Sequence, residues 1–258
     1  MMSIPFLKIV AALLLLVVPG YLLLRFDMQL LQRLAKTIVR MAVQMAVVAG
    51  VLWALWRFDS PWLCLLWIVV MSVVVAWMLL RRARLPQTLL LPVVGGLLAG
   101  ELTVGSYVLL VVLRPEHALS ARWMIPVAAV LLAHMLATNV RGVSAYFESL
   151  RSDSASYYTQ LGNGKSRLTA LTPYVRQALR SMVEPAVASL SVMGLFALPM
   201  LLSGLLLGGL SPVVASLLFL LLVLAVLASS LVSLVVTLWL SDRFAFNKRG
   251  ELLQTEKP

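Results

Sequence analysis

The sequence predicts an all-α, polytopic integral membrane protein with about seven transmembrane helices and one large cytosolic helical loop. Of its 258 residues, 62% are hydrophobic and only 12% are charged, whereas a soluble domain is roughly half apolar and about a quarter charged. The apolar residues form runs of about 20, the length that crosses a bilayer as a helix. One polar stretch, residues 142–183, interrupts them and is too large to stay in hydrocarbon. We therefore expect a single transmembrane domain over residues 1–258.

Seven apolar segments are long enough to span the membrane. They cover residues 6–24, 37–56, 61–80, 88–113, 123–141, 184–207 and 212–240. The first is expected to be a retained helix, because no small-x-small cleavage site follows it. Asp59-Ser60-Pro61 predicts the start of the third helix, and the glycines between Gly208 and Pro212 predict a tight turn before the last one. Residues 28–36 are expected to lie along the inner interface or to form a simple linker.

The basic residues predict the orientation of the chain. Of the 21 Lys and Arg residues, all but Lys8, Arg57, Arg114 and Arg122 follow odd-numbered spans or lie in the polar tail at 241–258. Cytosolic loops of membrane proteins are enriched in Lys and Arg. We therefore expect the N-terminus outside, the C-terminus in the cytosol and residues 142–183 on the cytosolic side of the inner (plasma) membrane. The net charge of +11 then reflects these loops and predicts no nucleic-acid partner.

The polar loop at 142–183 predicts two helices with a break between them. Residues 144–161 can form one helix, which Gly162-Asn163-Gly164 ends because Gly and Asn tolerate positive φ. A second helix is expected to start near Ser166, to kink at Pro173 and to run into the sixth span. Two helices joined in this way make a rigid elbow through which a soluble motor can move membrane helices. The same residues also suit a solvated basic loop that contacts anionic lipids.

Motifs for several classes of function are missing from the sequence. It contains no Gly-x-x-x-x-Gly-Lys-Ser/Thr loop, no His-Glu-x-x-His, no Gly-x-Ser-x-Gly and no paired carboxylates. We therefore expect no enzyme activity and no cofactor in this chain, with any ATP and Mg²⁺ bound by another chain. The one cysteine, Cys64, can form no internal disulfide and is expected to be a small buried hydrophobe.

Glu101 is the most unusual polar residue within the predicted spans. A carboxylate at mid-membrane costs a few kcal/mol and must face protein or water. Glu101 could bind a cation, carry a proton or make a structural hydrogen bond. Gly96 and Gly100 precede it at a spacing that favours close packing between helices.

Five further residues complete the candidate substrate path. They are Gln44, His134, Asn139, Met200 and Ser203. A mixed site of Glu101, His134 and methionine sulfur could assemble across helices, but a metal site needs several convergent ligands. A hydrogen-bonded core histidine is favoured, so no metal site is predicted. An interhelical hydrogen bond worth about 1 kcal/mol is the favoured role of Gln44.

Short motifs spread from about residue 20 to residue 253 match one family of permeases. In chain order they are Arg40 with Gln44, Arg81-Arg82, Ile125-Pro126-Val127-Ala128, Leu161-Gly162, Arg176 with Arg180, Pro185, Gly194-Leu195, Leu198-Pro199, Ser203-Gly204, Gly209, Pro212, Phe244 and Asn247. Their order and spacing resemble the ABC-transporter permease family that includes the bacterial iron-export permease and the plant aluminium-tolerance permeases.

The resemblance is that of a divergent member. The family's Gly-Met-x-x-Gly-Asn in the fifth span corresponds to residues 129–134, which read Ala-Val-Leu-Leu-Ala-His here. Its Tyr-Gln in the seventh span corresponds to Leu218-Phe219. Thioether and amide groups are replaced or moved, so the metal substrate of the family does not carry over directly.

The resemblance implies a homodimeric permease that pairs with a separate ATP-binding subunit and exports a metal ion or another small substrate. The loop would dock into that subunit through Tyr157, Tyr158, Leu161, Gly162, Arg176 and Arg180. The acidic start of the usual docking motif is replaced by Ser156-Tyr157-Tyr158. Two other functions stay open: a non-transporting scaffold that recruits a soluble ATPase, and a proton-driven secondary carrier that uses Glu101.

Overall fold

The computed structural model describes residue 14 and residues 17–113, 118–192 and 200–245, which are helical apart from short turns. The helices are α1 Val17–Phe26, α2 Met28–Phe58, α3 Pro61–Ala83, α4 Leu90–Gly100, α5 Ala121–Ser152, α6 Ser154–Gly162, α7 Arg167–Val192, α8 Met200–Leu207 and α9 Pro212–Ala245. A 3₁₀ turn, Gln87–Leu89, leads into α4, and the π-helical segments Glu101–Gly105 and Val108–Leu113 follow it. The predicted all-α class is confirmed for these ranges.

Five helices in the described ranges are long and apolar enough to cross a membrane. They are Met28–Phe58, Pro61–Ala83, Gln87–Leu113, Ala121–Ser152 and Pro212–Phe244, and they match the second, third, fourth, fifth and seventh predicted spans. The other two predicted spans, 6–24 and 184–207, fall partly outside the described residues. The chain is therefore a multi-pass membrane protein.

Residues 1–58 form one compact unit, and residues 59–258 form another. In the first unit α1 and α2 contact each other. Between them Asp27 accepts a 3.0 Å hydrogen bond from the backbone N–H of Leu30, which satisfies one of the free donors at the start of α2. Because α2 is continuous from Met28, the predicted interfacial segment at 28–36 is the first part of this helix and not a separate element.

The second unit begins as the sequence predicts, since α3 starts with Pro61 at its first position. The Oδ1 atom of Asp59 accepts a 2.8 Å hydrogen bond from the backbone N–H of Ala121. This bond connects the turn before α3 to the first residue of α5. The predicted turn before the last span is also confirmed: Gly209 has a φ of 92°, and α9 begins at Pro212.

The predicted tail at 241–258 begins inside a helix. α9 continues to Ala245, so the first residues of the predicted tail belong to it. Residues 246–258 lie outside the described part of the chain. The end of α9 contacts the polar loop, because Asp242 lies 2.7 Å from Arg167.

Two glycines bring α4 and α9 into direct backbone contact. A Cβ atom on Gly96 would lie 2.6 Å from the carbonyl oxygen of Ser233, and one on Gly100 would lie 2.6 Å from the carbonyl oxygen of Ser229. No side chain fits between the two backbones at these points. The predicted close-packing face is therefore confirmed, and its partner is the last helix.

The face of α9 that meets these glycines carries a stripe of small polar residues. Ser229, Ser230, Ser233, Thr237 and Ser241 are all buried, and their spacing places them along one side of the helix. Small hydroxyl side chains allow helices in a membrane to approach closely. This packing explains why polar residues recur in an otherwise apolar span.

Replacing Gly96 by valine should destabilise the protein. The new side chain would overlap Thr237 and the backbone of Ser233, and such overpacking costs about 1–3 kcal/mol. We expect a lower Tm and less monodisperse protein in detergent, measured by fluorescence-detected size-exclusion chromatography. Gly50→Val is the matched control, because a Cβ atom at Gly50 would meet nothing within 4 Å. A Tm for Gly96→Val equal to that of the wild type would contradict the packing.

Candidate functional site

A cavity of about 790 Å³ lies among α5, α7, α8 and α9. Most of its wall consists of Leu, Val, Ala and Met side chains, with a few polar groups among them. Cavities of a few hundred to about 1,000 Å³ with this mixture are typical binding sites for drug-sized molecules. All four helices belong to the second unit.

The polar groups of the cavity come mainly from one face of α5. Val130, His134, Thr138 and Arg141 all line the cavity, because their spacing of three or four residues puts them on one side of a helix. The imidazole Nδ1 of His134 lies 3.0 Å from the carbonyl oxygen of Val130. The hydroxyl of Thr138 donates to the carbonyl oxygen of His134 at 2.8 Å. Arg141 stands at one end of this row and makes no salt bridge with any described carboxylate.

Two of the predicted path residues, His134 and Met200, line this cavity. Ser203 does not line it, although the next residue, Gly204, does. Gln44 lies in the first unit, where its side chain is exposed. The predicted path is thus only partly assembled around the cavity.

Asn139 lies on another side of α5 and connects it to α9. It is buried, and its Nδ2 donates a 2.7 Å hydrogen bond to the hydroxyl of Ser233. Such a bond between spans holds helices in place. The position of Asn139 therefore favours a structural role.

Glu101 lines a second, smaller cavity of about 110 Å³, whose wall is otherwise apolar apart from Ser106 and glycine backbone. Its side chain is only 4% exposed, and its Oε2 atom has no hydrogen-bond partner among the described residues. Glu101 begins the π-helical segment Glu101–Gly105, a type of turn that is frequent at functional sites. A carboxyl group in this position can hold a proton or a water molecule, but it does not face the larger cavity.

A tightly held metal ion needs more ligands than these cavities offer. The described residues contain no group of three or more His, Cys, Asp or Glu side chains that could bind one. Structural and catalytic zinc sites take three or four protein ligands, and calcium takes six to eight oxygen atoms.

The polar loop starts inside α5 and not after it. This helix runs without interruption from Ala121 to Ser152, so the predicted single helix at 144–161 is wrong. Its first part continues the fifth span, and its second part is the separate helix α6, which follows a break at Asp153. The fifth span therefore reaches directly into the polar loop as one rigid helix.

The break after α6 lies where the sequence predicts it. α6 ends at Gly162, and Gly164 has a φ of 79°, which favours glycine. The hydroxyl of Ser166 accepts a 3.3 Å hydrogen bond from the backbone N–H of Thr169, as expected for a residue that caps the start of α7. We call residues 142–183 the elbow. It consists of the end of α5, all of α6 and the first part of α7.

Polar contacts hold the elbow against the end of α9. The Nη2 atom of Arg167 lies 2.7 Å from Oδ1 of Asp242 and donates a 2.8 Å hydrogen bond to the Asp242 carbonyl oxygen. The hydroxyl of Tyr174 donates to the carbonyl oxygen of Asp153 at 3.0 Å, which joins α7 to the break before α6. Burial raises the pKa of the Tyr157 hydroxyl, and the nearby charge of Arg167 opposes that rise.

The predicted docking residues occupy different positions on the elbow. Tyr157 is buried, and Leu161 is half-buried, so these two stabilise the elbow from within. Tyr158, Gly162, Arg176 and Arg180 are exposed, and we call these four the exposed elbow residues. A Cβ atom on Gly162 would meet nothing within 4 Å. The docking role of these residues stays a prediction.

The contacts of Arg167, Tyr174 and Asp242 were not predicted from the sequence. Asp242 follows a long apolar run near the C-terminal end of a helix, where the helix dipole disfavours negative charge. That position was the available signal that Asp242 needs a cationic partner.

Comparison with known proteins identifies the family. A protein family described as uncharacterised, UPF0014, matches residues 6–246. The chain belongs to this family. It is 26% identical over 216 residues to the UPF0014 membrane protein slr1647 of Synechocystis sp. (strain ATCC 27184 / PCC 6803 / Kazusa), covering 83% of each chain.

A second relative of this UPF0014 protein carries a functional name. The chain is 25% identical over 222 residues to the "Probable iron export permease protein FetB" of Escherichia coli (strain K12), covering 84% of this chain and 83% of that protein. No solved structure matches the chain. Together, the family and this relative support a permease-like role in the membrane.

A double-mutant cycle at Arg167 and Asp242 should reveal energetic coupling between the elbow and α9. Because both side chains are partly exposed, we expect a coupling free energy of about 1 kcal/mol. Arg167→Gln and Asp242→Asn should each lower the Tm and speed amide hydrogen exchange in residues 153–167. The double variant should be little worse than either single one, and Arg176→Gln, at an exposed position, should have no effect. Additive losses would contradict the coupling.

Proposed function

We propose that this UPF0014 protein is the membrane-spanning permease subunit of an ABC transporter, powered by a separate ATP-binding subunit. The observation that carries the proposal is the elbow, which presents Gly162 in open space at the end of α6. A soluble partner can contact this point without displacing a side chain of the permease. ATP and Mg²⁺ would bind to that partner, and this chain would carry no catalytic residue.

Motion of the elbow would reach the cavity through two continuous helices. α5 contains both the cavity residue His134 and the loop residue Tyr146, and α7 contains both Arg167 and the cavity residue Ser189. A helix transmits displacement along its length because its backbone hydrogen bonds are internal. A partner that moves α6 on ATP binding would therefore change the shape of the cavity.

The proposed substrate is a metal ion or another small substrate, and the proposed direction is export. Support comes from the relative whose name describes it as a probable iron export permease. We further propose a homodimer in the inner membrane, with the N-terminus outside and the C-terminus in the cytosol, since transporters of this type pair two permeases with two ATPase subunits. The loop charges support this orientation.

A scaffold that only recruits a soluble ATPase is the first alternative. Such a protein has no need for an internal space and would be sealed with apolar side chains. The cavity of about 790 Å³, with His134, Thr138 and Arg141 along one wall, favours transport over this alternative.

A proton-driven carrier is the second alternative, and one specific observation favours it. Glu101 is buried in a cavity of its own, and its Oε2 atom has no described partner. Carboxyl groups of this kind mark proton relays in membrane transporters. Because Glu101 does not line the large cavity, we rank this function second.

Replacing Gly162 by tryptophan should abolish the stimulation of ATP hydrolysis by the permease. The indole would occupy the space above α6 that the partner needs, while the fold of the permease would be unaffected because that space is empty. The measurement is the ATPase rate of the purified partner with and without the permease in nanodiscs.

Gly162→Ala is the control because it changes the same position with almost no added volume, and it should retain most of the stimulation. Both variants should insert into the membrane and elute like the wild type in size-exclusion chromatography. Full stimulation by a correctly folded Gly162→Trp protein would count against docking at this position.

Replacing Glu101 by glutamine should leave ATP-independent proton flux unchanged, because an ABC permease does not move protons without its motor. The substitution keeps the size of the side chain and removes its ability to ionise. Flux is measured with a pH-sensitive dye inside liposomes that contain the permease alone, under an imposed membrane potential. Proton flux through the wild type that is lost in Glu101→Gln would instead support the carrier.

A further inference from the structure

We propose that the large cavity binds a single-chain membrane lipid with an anionic headgroup. The inference rests on the proposed permease function and names a substrate class for it. Three properties of the cavity carry the proposal: its length along α5, the apolar character of three of its walls, and the position of one arginine at its end. The iron in the relative's name accounts for none of these three properties.

The cavity is long enough to hold the headgroup end and part of the acyl chain of an amphiphile. Its lining along α5 runs from Val130 to Arg141, which at 1.5 Å per residue is roughly 16 Å. The volume of about 790 Å³ is much larger than a hydrated metal ion needs. It falls within the range of sites that hold drug-sized organic molecules.

The walls opposite α5 suit an acyl chain. α7, α8 and α9 contribute mainly aliphatic and aromatic surface, including Leu190, Leu205 and Phe219. An apolar chain that leaves water or the lipid interface for this space gains from the hydrophobic effect. Because α5 and α9 are membrane-spanning helices, a ligand can enter the space from the bilayer, where single-chain lipids are found.

Arg141 supplies the charge that an anionic headgroup requires. It lies at one end of the cavity, near the end of the predicted fifth span, which is the depth at which headgroups lie. No described carboxylate forms a salt bridge with it, so its positive charge is not neutralised within the described residues. A guanidinium binds a phosphate through two parallel hydrogen bonds, and the hydroxyl of Thr138 lies one turn further in.

The same residues suit a bare metal ion poorly. The cavity offers one imidazole, that of His134; its Nδ1 lies 3.0 Å from the carbonyl oxygen of Val130, so only its Nε2 is left as a nitrogen ligand. The described residues provide no cluster of three acidic, cysteine or histidine ligands. A positively charged arginine at the cavity end also repels a cation. Charge and shape therefore both favour an anionic amphiphile.

Native mass spectrometry of the purified full-length chain tests the proposal with two matched probes. Lysophosphatidylglycerol and lysophosphatidylcholine carry the same acyl chain, but only the first has a net negative charge. We expect the wild type to retain lysophosphatidylglycerol about fivefold better, the effect of one basic residue near an anionic lipid. Equal retention of the two lipids would overturn the proposal.

Two variants assign the binding to the cavity. Arg141→Gln should reduce retention of lysophosphatidylglycerol to the level of lysophosphatidylcholine. Gly204→Phe should reduce retention of both lipids, because Gly204 lines the cavity and a Cβ atom there meets nothing within 4 Å, so the ring fills the cavity without disturbing the helix. Arg151→Gln, an exposed position on the same helix, is the control and should behave like the wild type. Unchanged retention in Arg141→Gln and Gly204→Phe would also overturn the proposal.

Lipid binding and the proposed transporter function can fail independently of each other, because each has its own measurement. Stimulation of the ATPase subunit is measured on the same preparations, and neither Gly204 nor Arg141 is an exposed elbow residue. If the permease stimulates its ATPase but retains no lysolipid, the lipid inference alone fails. If it retains the lipid in the predicted order but never stimulates an ATPase, the transporter function fails while the binding site stands. Saturable retention of ferrous ion that is lost in Gly204→Phe would overturn the lipid assignment in favour of a metal.

Discussion

The continuity of α5 across the membrane boundary is the constraint on which the rest of the structure depends. The helix has 32 residues and is therefore about 48 Å long, whereas the hydrocarbon core of a bilayer is about 30 Å thick. One part of α5 lines the large cavity, and its last turns form the first arm of the elbow. A force on the elbow would therefore reach the cavity wall through α5, in addition to α7.

Contacts between α5 and its neighbours fix the relative positions of the helices that line the cavity. Asn139 connects α5 to α9 through Ser233, and the same stretch of α9 is pressed against α4 at Gly96 and Gly100. At the elbow end of the bundle, Arg167 attaches the start of α7 to Asp242 near the end of α9. α9 thus serves as a common support for the elements that meet it. Most of the buried polar residues in the described ranges lie on α9, where it meets its neighbours.

The sequence predicts the parts of this structure that depend on local chemistry. Hydrophobic length identifies the five long spans of the described ranges. The spacing of Gly96 and Gly100 identifies a packing face, and Gly164 marks the break in the loop. These features follow from the bilayer and from backbone conformation, which act on each segment separately.

The parts that the sequence did not predict depend on contacts between distant segments. The break at Asp153, within a stretch predicted to be one helix, coincides with a hydrogen bond from Tyr174. Tyr157 was expected on a docking surface but is buried beside α7. The large cavity is formed by four helices, and only His134 and Met200 among the predicted path residues reach it. Each of these cases depends on how segments that are distant in the sequence pack together, which the hydrophobicity of one segment does not determine.

The central claim is that the elbow faces the cytosol and contacts an ATPase. Site-specific photo-cross-linking in cells tests it most directly, with a photoreactive amino acid placed at the exposed residue Tyr158. In a parallel control, the photoreactive amino acid replaces Trp62. This residue is exposed in the first turn of α3 and is predicted to lie on the opposite side of the membrane. The account predicts a cross-link from position 158, but not from position 62, to a protein with a Gly-x-x-x-x-Gly-Lys-Ser/Thr nucleotide-binding loop. Cross-links from position 158 only to proteins on the outer side of the membrane would contradict it.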